Sequence, residues 1–226
     1  MIQEFNIRPF PYCLAGVEIK PIFTEMKNSL PMYLSLAADS PFRPEFEDKP
    51  QTEFSDAVYN RIHGAHGVTW SVGGYLENRC VGLDKYPQMR EQKRYYHLGI
   101  DLNFAKGTAV HAPLNGEIAV SGYEEGAGNY GGHVVIKCKE NGTVFYLLFG
   151  HLRKSLLPVM GAPISAGQKF AEVGDFDENG AWYQHIHLQV LTEKAFAEGW
   201  VNKGYCSLED IPSISQYAPD PALFLI

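Results

Sequence analysis

The chain has 226 residues and a formal net charge of −7. This length predicts one domain, or one domain with an appendage, that can bury a full core. The acidic balance argues against nucleic acid and anionic membranes as partners, because those partners are bound by basic patches. No apolar run approaches the roughly 18 residues that a membrane-spanning helix needs.

The N-terminus lacks the basic and apolar regions of a secretory signal. We therefore expect a cytoplasmic protein, or a periplasmic or extracellular one if a signal has been removed. The cysteines are far apart and form no C-x-x-C pair: Cys13, Cys80, Cys138 and Cys206. Their spacing argues against a zinc knuckle and a disulfide framework, and predicts free thiols in a reducing compartment.

The first 50 residues contain seven of the fourteen prolines, which predicts extended, irregular chain. Over residues 52–62 apolar positions recur every four residues, which predicts a short amphipathic helix that ends at Gly64. The aromatic residues of this region are too many to leave in water and too interrupted by proline to form their own core. We predict that residues 1–82 are an extension packed on a domain comprising residues 83–226.

From Tyr95 onward, short strand patterns alternate with glycine and asparagine turns. The predicted strands cover residues 98–104, 116–121, 133–139, 143–149, 169–173 and 185–191. Asn141-Gly142 predicts a hairpin, because this pair favours the turn that joins two antiparallel strands. With a short helix over residues 193–198, the pattern predicts a mainly β fold, built from antiparallel hairpins as a sheet or sandwich.

The last predicted strand carries two histidines. Side chains alternate between the faces of a strand, so His185, His187 and Gln189 share one face, and the intervening apolar residues share the other. Two imidazoles on a rigid strand suit a metal site or an acid/base site. The alternative is a pair of half-exposed histidines on an edge strand.

Two further polar residues, His97 and Asp101, are separated by apolar residues. Imidazole and carboxylate groups are both zinc ligands, so these two with His187 would make a three-ligand site. Three protein ligands leave one position open, which is the pattern of catalytic zinc sites. His151 follows an apolar strand, where a histidine either faces a cleft or caps the core.

In this order, the motifs resemble those of the lysostaphin-type zinc metalloendopeptidases, which cleave peptide bonds in bacterial peptidoglycan. The matching stretches are H-L-G-I-D at 97–101, G-T-A-V-H-A-P-L-N-G at 107–116, N-Y-G-G-H at 129–133, F-G-H-L at 149–152 and H-I-H at 185–187. The resemblance covers about residues 95–191. One departure is Phe149 where the family commonly has tyrosine two positions before the histidine.

The resemblance implies a fold similar to the duplicated hybrid motif and a Zn²⁺ ion held by His97, Asp101 and His187. It also implies that His151 and His185 are catalytic, exchanging protons with water and the leaving amine, and that the partner is a peptide or peptidoglycan-derived substrate. The stretches G-G-Y-L-E-N-R at 73–79 and P-D-P-A-L-F at 219–224 resemble the lysostaphin-type domain of some fusion proteins, between a kinase-like and an aminotransferase-like domain. That second resemblance implies a cytoplasmic branch whose substrate need not be cell wall.

Two other interpretations remain open from the sequence. A non-catalytic or regulatory metal-binding module could keep the same fold, because fold alone does not decide activity. A cupin-type metalloprotein also carries H-x-H on a β-strand, although cupins place a glutamate closer to the second histidine than Glu193 lies to His187.

Overall fold

The computed structural model describes residues 8–46 and 49–225 of the chain. The strands in these residues are β1 Met32–Tyr33, β2 Ser71–Gly73, β3 Tyr96–His97, β4 Ile100–Asn103, β5 Ala109–His111, β6 Gly116–Glu124, β7 Gly131–Glu140, β8 Thr143–Leu152, β9 Pro163–Ile164, β10 Lys169–Glu172, β11 Ile186–Thr192 and β12 Tyr205–Cys206. The described helices are short: α1 Arg43–Phe46, α2 Gln51–Asp56, α3 His63–His66, α4 Cys80–Leu83, α5 Pro87–Glu91 and α6 Glu193–Ala197. None of these described helices has both the length and the apolar character that a membrane crossing requires.

The centre of the molecule is an eight-stranded sheet in the order β1-β2-β4-β11-β8-β7-β6-β9. Only β1 and β2 run parallel, and every other neighbouring pair in this sheet is antiparallel. Two small antiparallel pairs, β5 with β10 and β3 with β12, lie beside it. The prediction of a mainly β fold built from antiparallel strands is confirmed.

The predicted hairpin joins β7 to β8. Glu140 pairs with Thr143, and the two residues between them, Asn141 and Gly142, have φ angles of 45° and 85°. Positive φ at both central positions is what a two-residue hairpin turn with the right twist needs, and asparagine and glycine tolerate it best. The local sequence therefore decides how these two long strands pair.

The helix predicted over residues 52–62 is longer than expected. It starts with α2, continues through a π-helical segment, Ala57–Ile62, and finishes with α3. The expected end at Gly64 is wrong, because the chain leaves the helix at Gly67, whose φ of 63° lies in the left-handed region that favours glycine. The helix predicted near residue 193 is found as α6.

Both faces of the central sheet are buried, and β8 shows this directly. Phe145, Leu147 and Phe149 belong to the larger core, while Tyr146 and Leu148 belong to a second core on the opposite face. A strand covered on both sides reads as a continuous apolar run, which explains why the sequence of β8 does not alternate. Polar residues on such a sheet are therefore buried as well.

The segment before residue 83 contributes to the same cores. Ile22, Phe23 and Trp70 pack in the larger core, and Phe54 packs against Tyr183 in a separate cluster. The strand β2 also pairs with β4. The division of the chain at residue 82 stays a prediction, but residues on both sides of it share one core.

Candidate metal centre and active site

Three adjacent strands in the middle of the sheet position the predicted site residues. His187 on β11 lies directly opposite Asp101 on β4 and opposite Gly150 on β8, which precedes His151. Side chains directly opposite each other on paired strands are close neighbours. Apolar neighbours of His187 along β11 point into the larger core, so His187 and Gln189 lie on the other face, as the alternation predicted.

Gly99, between β3 and β4, allows the chain to approach β11 closely. A Cβ atom there would lie 2.4 Å from the carbonyl oxygen of Leu188 and 2.6 Å from Cε1 of His187. Neither contact is sterically possible without a shift of the backbone. The glycine of the H-L-G-I-D stretch is therefore required where the strand passes the His187 ring.

The donor atoms of the three predicted ligands converge on one point. His97 Nε2 lies 2.9 Å from His187 Nδ1 and 3.2 Å from Asp101 Oδ1. The same Asp101 oxygen is 3.6 Å from His187 Nδ1 and 3.6 Å from His185 Nε2. All four side chains are buried, with exposed fractions of 0–3%. The structure thus brings together every residue that the sequence proposed as a ligand.

Hydrogen bonds on the far side of each ligand ring determine where its proton lies. His97 Nδ1 is 2.9 Å from the Gly74 carbonyl oxygen, and His187 Nε2 is 2.9 Å from Gln189 Oε1. Gln189 donates its amide nitrogen to the Lys203 carbonyl oxygen, which fixes the orientation of the amide. Both acceptors require an N–H from the ring, so the nitrogens that face each other carry lone pairs.

Asp101 adds a third set of lone pairs. Its Oδ2 accepts a hydrogen bond of 2.5 Å from Arg79 Nη1, whereas its Oδ1 has no hydrogen-bond partner. Burial alone would raise the pKa of Asp101, but the Arg79 guanidinium and the neighbouring imidazoles together outweigh it and hold the pKa well below its usual range. Burial, reinforced by Arg79, lowers the pKa of His97 to about 4. Asp101 is therefore an anion beside a neutral His97.

This arrangement fits a metal ion. Two imidazole lone pairs and one carboxylate oxygen face each other in a buried space with no donor among them, which costs free energy unless a cation lies there. Two histidine nitrogens and one carboxylate oxygen form a donor set typical of zinc. Within the described residues, His97, Asp101 and His187 are the group found with this geometry.

The two remaining predicted residues lie beside this centre. The rings of His151 and His185 are 4.5 Å apart, and each Nδ1 donates to a backbone oxygen, of Asn179 and Tyr183 respectively. Burial lowers the pKa of His185 and, together with the neighbouring imidazoles, holds that of His151 well below its usual value. His151 has a φ of 64°, an uncommon conformation for a residue other than glycine. Both rings are neutral and present Nε2 as a proton acceptor.

Several supporting residues were not predicted from the sequence. Arg79, itself only 5% exposed, donates both to Asp101 and, through Nε at 2.9 Å, to Glu77 Oε2. Tyr183 stacks on His185 with ring centroids 4.3 Å apart, and its hydroxyl donates to Asn103. No spacing in the sequence relates Arg79 to Asp101, so this ion pair could be found only in three dimensions.

The site lies between two cavities. A cavity of about 580 Å³ reaches Asp101 and His185, and a cavity of about 230 Å³ reaches His151 and His187. Trp182 and Tyr205 line both. The two cavities together are lined by four of the five site residues, and the fully buried His97 lines neither of them.

Comparison with solved structures finds partial similarity to peptidases. A zinc containing peptidase from Vibrio cholerae is 27% identical, with 43% of this chain and 28% of that chain covered and a TM-score of 0.36. The catalytic domain of the antimicrobial peptidase lysostaphin from Staphylococcus simulans is 21% identical, with 54% and 80% covered and a TM-score of 0.38. The catalytic domain of a variant of the prophage-encoded M23 protein EnpA from Enterococcus faecalis is 23% identical, with 50% of this chain and 75% of that chain covered and a TM-score of 0.37. This chain thus spans little more than a quarter of the Vibrio protein. A comparison with curated proteins gave no match.

Comparison with protein-family models gives a defined match. Residues 95–198 match peptidase family M23. The matched range contains all five predicted site residues, whereas Glu77 and Arg79 lie before it. The resemblance to lysostaphin-type zinc peptidases that the motifs indicated is confirmed by this match, which covers 104 of the 226 residues.

Proposed function

We propose that this protein is a zinc-dependent endopeptidase in which His97, Asp101 and His187 hold the metal and His151 and His185 transfer protons. One observation carries the proposal: the Nε2 of His97, the Nδ1 of His187 and the Oδ1 of Asp101 converge without a proton donor among them. The family match of residues 95–198 supports a peptidase role for that arrangement.

The chain's own residues supply the remaining chemistry. When bound, a zinc ion supplies Lewis-acid chemistry that polarises a peptide carbonyl and acidifies water near neutral pH. His151 and His185, neutral and with Nε2 free, accept a proton from the attacking water. The same groups return that proton to the leaving amine as the C–N bond breaks, so the reaction needs no covalent enzyme intermediate.

The proposed substrate is a peptide in peptidoglycan or a muropeptide-like molecule. The motif resemblance supports this class, and lysostaphin from Staphylococcus simulans is described as an antimicrobial peptidase. The two cavities on either side of the site support an endopeptidase, because a substrate chain can continue in both directions from the bond that is cleaved.

Metal content tests the ligand assignment. We expect one zinc ion per chain in protein purified without added metal, measured by elemental analysis. Changing His97, Asp101 and His187 together to alanine should abolish this content, because no three-ligand set remains. His111→Ala, at a histidine outside the site, is the matched control and should retain zinc. Full zinc content in the triple variant would reject the assignment.

A second measurement separates metal binding from proton transfer. His151→Ala and His185→Ala should each keep the zinc and lower peptide hydrolysis by about 100- to 10,000-fold, the usual contribution of an acid/base group. Loss of zinc from His185→Ala would mean that His185 and His187 have exchanged roles. Zinc without hydrolysis of any peptide or peptidoglycan fragment would instead favour the non-catalytic module.

A further inference from the structure

The larger cavity beside the site is built mainly by parts of the chain outside the family match. Among its described lining residues, only Asp101, Trp182, Tyr183 and His185 belong to residues 95–198. Most of the others come from residues 35–54 and 79–85. The shape and charge of this cavity are therefore features of this chain rather than of the matched domain.

The walls of the cavity are apolar and firmly packed. Phe46 and Phe54 are both buried, with ring centroids 4.8 Å apart, and Leu83 packs with Trp182 in another buried cluster. A cavity of about 580 Å³ lies within the range of small-ligand sites and is far larger than a glycine residue needs. Its walls suit a side chain with an apolar stem.

The charged residues that line the cavity are mostly basic. Among the described lining residues they are Arg43, Lys49, Arg79 and Lys85, against one carboxylate, Asp101, which is already paired with Arg79. Lys49 forms a long ion pair of 3.8 Å with Glu45, which lies closer to Arg61 at 3.2 Å, and the Lys85 ammonium lies over the Tyr86 ring. Lys49 and Lys85 thus give the described lining of this cavity positive charge, whereas the whole chain has a net charge of −7.

We propose that this cavity binds an acidic side chain of the peptide substrate, with its apolar stem against the aromatic wall and its carboxylate near Lys49 and Lys85. The inference rests on the proposed peptidase function and specifies one side of its substrate. A charge-assisted hydrogen bond to a partly desolvated lysine stabilises a bound carboxylate more than a neutral amide of the same shape. The cavity therefore selects glutamate-like residues over glutamine-like ones and over glycine.

Matched peptides test this selection. Blocked fluorogenic peptides carry Glu, Gln or Gly immediately before or after the bond to be cleaved, and kcat and KM are measured with the full zinc-loaded chain. We expect a preference for Glu over Gln of about tenfold in kcat/KM on one side of the bond only, mainly through KM. Raising the ionic strength should reduce the preference, because salt screens partly exposed charges.

Lysine variants connect the preference to the cavity. Lys49→Gln and Lys85→Gln should each reduce the Glu preference, and the double variant should remove it by raising KM for the Glu peptide to that of the Gln peptide. Lys27→Gln, at an exposed lysine that does not line the cavity, is the matched control. An unchanged preference in the double variant, or equal cleavage of the Glu and Gln peptides, would overturn the proposal.

Binding keeps this test separate from the test of the peptidase function. Isothermal titration of the same peptides into the full-length His151→Ala chain measures affinity without hydrolysis. One outcome is that the full zinc-loaded chain cleaves none of the peptides while the Glu peptide still binds the His151→Ala chain about tenfold more tightly than the Gln peptide. If this difference in affinity also requires both Lys49 and Lys85, the cavity assignment holds and the peptidase function fails. Equal affinities reject the cavity assignment.

Discussion

At the scale of single residues, Arg79 connects the site to chain outside the matched domain. Its guanidinium holds Asp101 Oδ2 and Glu77 Oε2, and Glu77 in turn accepts a hydrogen bond from Tyr33 at 2.7 Å. With Oδ2 occupied, Oδ1 is the Asp101 oxygen directed at the imidazole nitrogens. Arg79 therefore acts through Asp101 as a positioning residue.

We expect Arg79→Met to weaken zinc binding by about 10- to 100-fold, as loss of a partner that orients a metal ligand generally does. Competition with a chromophoric chelator measures the affinity. Arg90→Met, at an exposed arginine, should leave the affinity unchanged. Because removal of one partner of a buried ion pair also destabilises a fold, Arg79→Lys provides a milder second variant. Unchanged zinc affinity in both folded Arg79 variants would contradict the positioning role.

The five site positions could be predicted because their spacing is local or follows a known family pattern. His185 and His187 share a face through the period of one strand, and His97 and Asp101 lie within one short stretch. Arg79 could not be predicted, because its link to Asp101 depends on how β2 and the loop after it return to β4. Long-range packing of this kind leaves no periodic signal in the sequence.

At the scale of elements, the approach of β4 to β11 depends on Gly99. We expect Gly99→Ala to lower the free energy of unfolding by about 1–3 kcal/mol, because the added methyl group overfills a packed contact with Leu188 and His187. Urea denaturation of the metal-free protein measures the change. Gly82→Ala, where no atom lies within 4 Å of the added Cβ, should change stability by no more than about 0.5 kcal/mol. Equal effects of the two substitutions would refute this account of the strand contact.

Strands of four or more residues were predicted from the sequence, whereas those of two or three residues were not. β6, β7, β8 and β11 have enough residues for apolar patterns and turn signals to be visible. In contrast, β1, β9 and β12 contain two residues each, which form strands only because a partner strand is already in place. The end of the helix at Gly67 rather than Gly64 was also not predictable, because either glycine could end a helix by its local sequence. Contacts with the rest of the fold decide between them.

At the scale of the whole molecule, the segment before residue 83 is part of the folded core. Ile22, Phe23, Leu34 and Trp70 are at most 1% exposed. Burial of each such side chain stabilises the fold by roughly 1.5–3 kcal/mol, so their sum is comparable with a typical net stability of about 5–15 kcal/mol. Loss of β2 would also leave β4, which carries Asp101, with an unpaired edge.

We therefore expect a chain that starts at Leu83 to lose cooperative thermal unfolding and zinc binding rather than to gain activity. Circular dichroism during heating and elemental analysis measure these properties. A chain that starts at Arg8 keeps all the residues named above and serves as the control. A soluble Leu83 form that unfolds cooperatively and hydrolyses peptides faster than the full chain would show instead that the segment before residue 83 blocks access to the candidate metal centre.

The position of β11 in the sheet determines when the site can form during synthesis. Before β11 is added, the sheet consists of two separate parts, β1-β2-β4 and β8-β7-β6-β9, and β11 inserts between them. It is the last strand of this sheet to leave the ribosome, and it carries His187 and follows His185. Closure of the sheet and completion of the metal centre are thus a single late event in folding. A nascent chain consequently cannot assemble the proposed ligand set before β11 has been made.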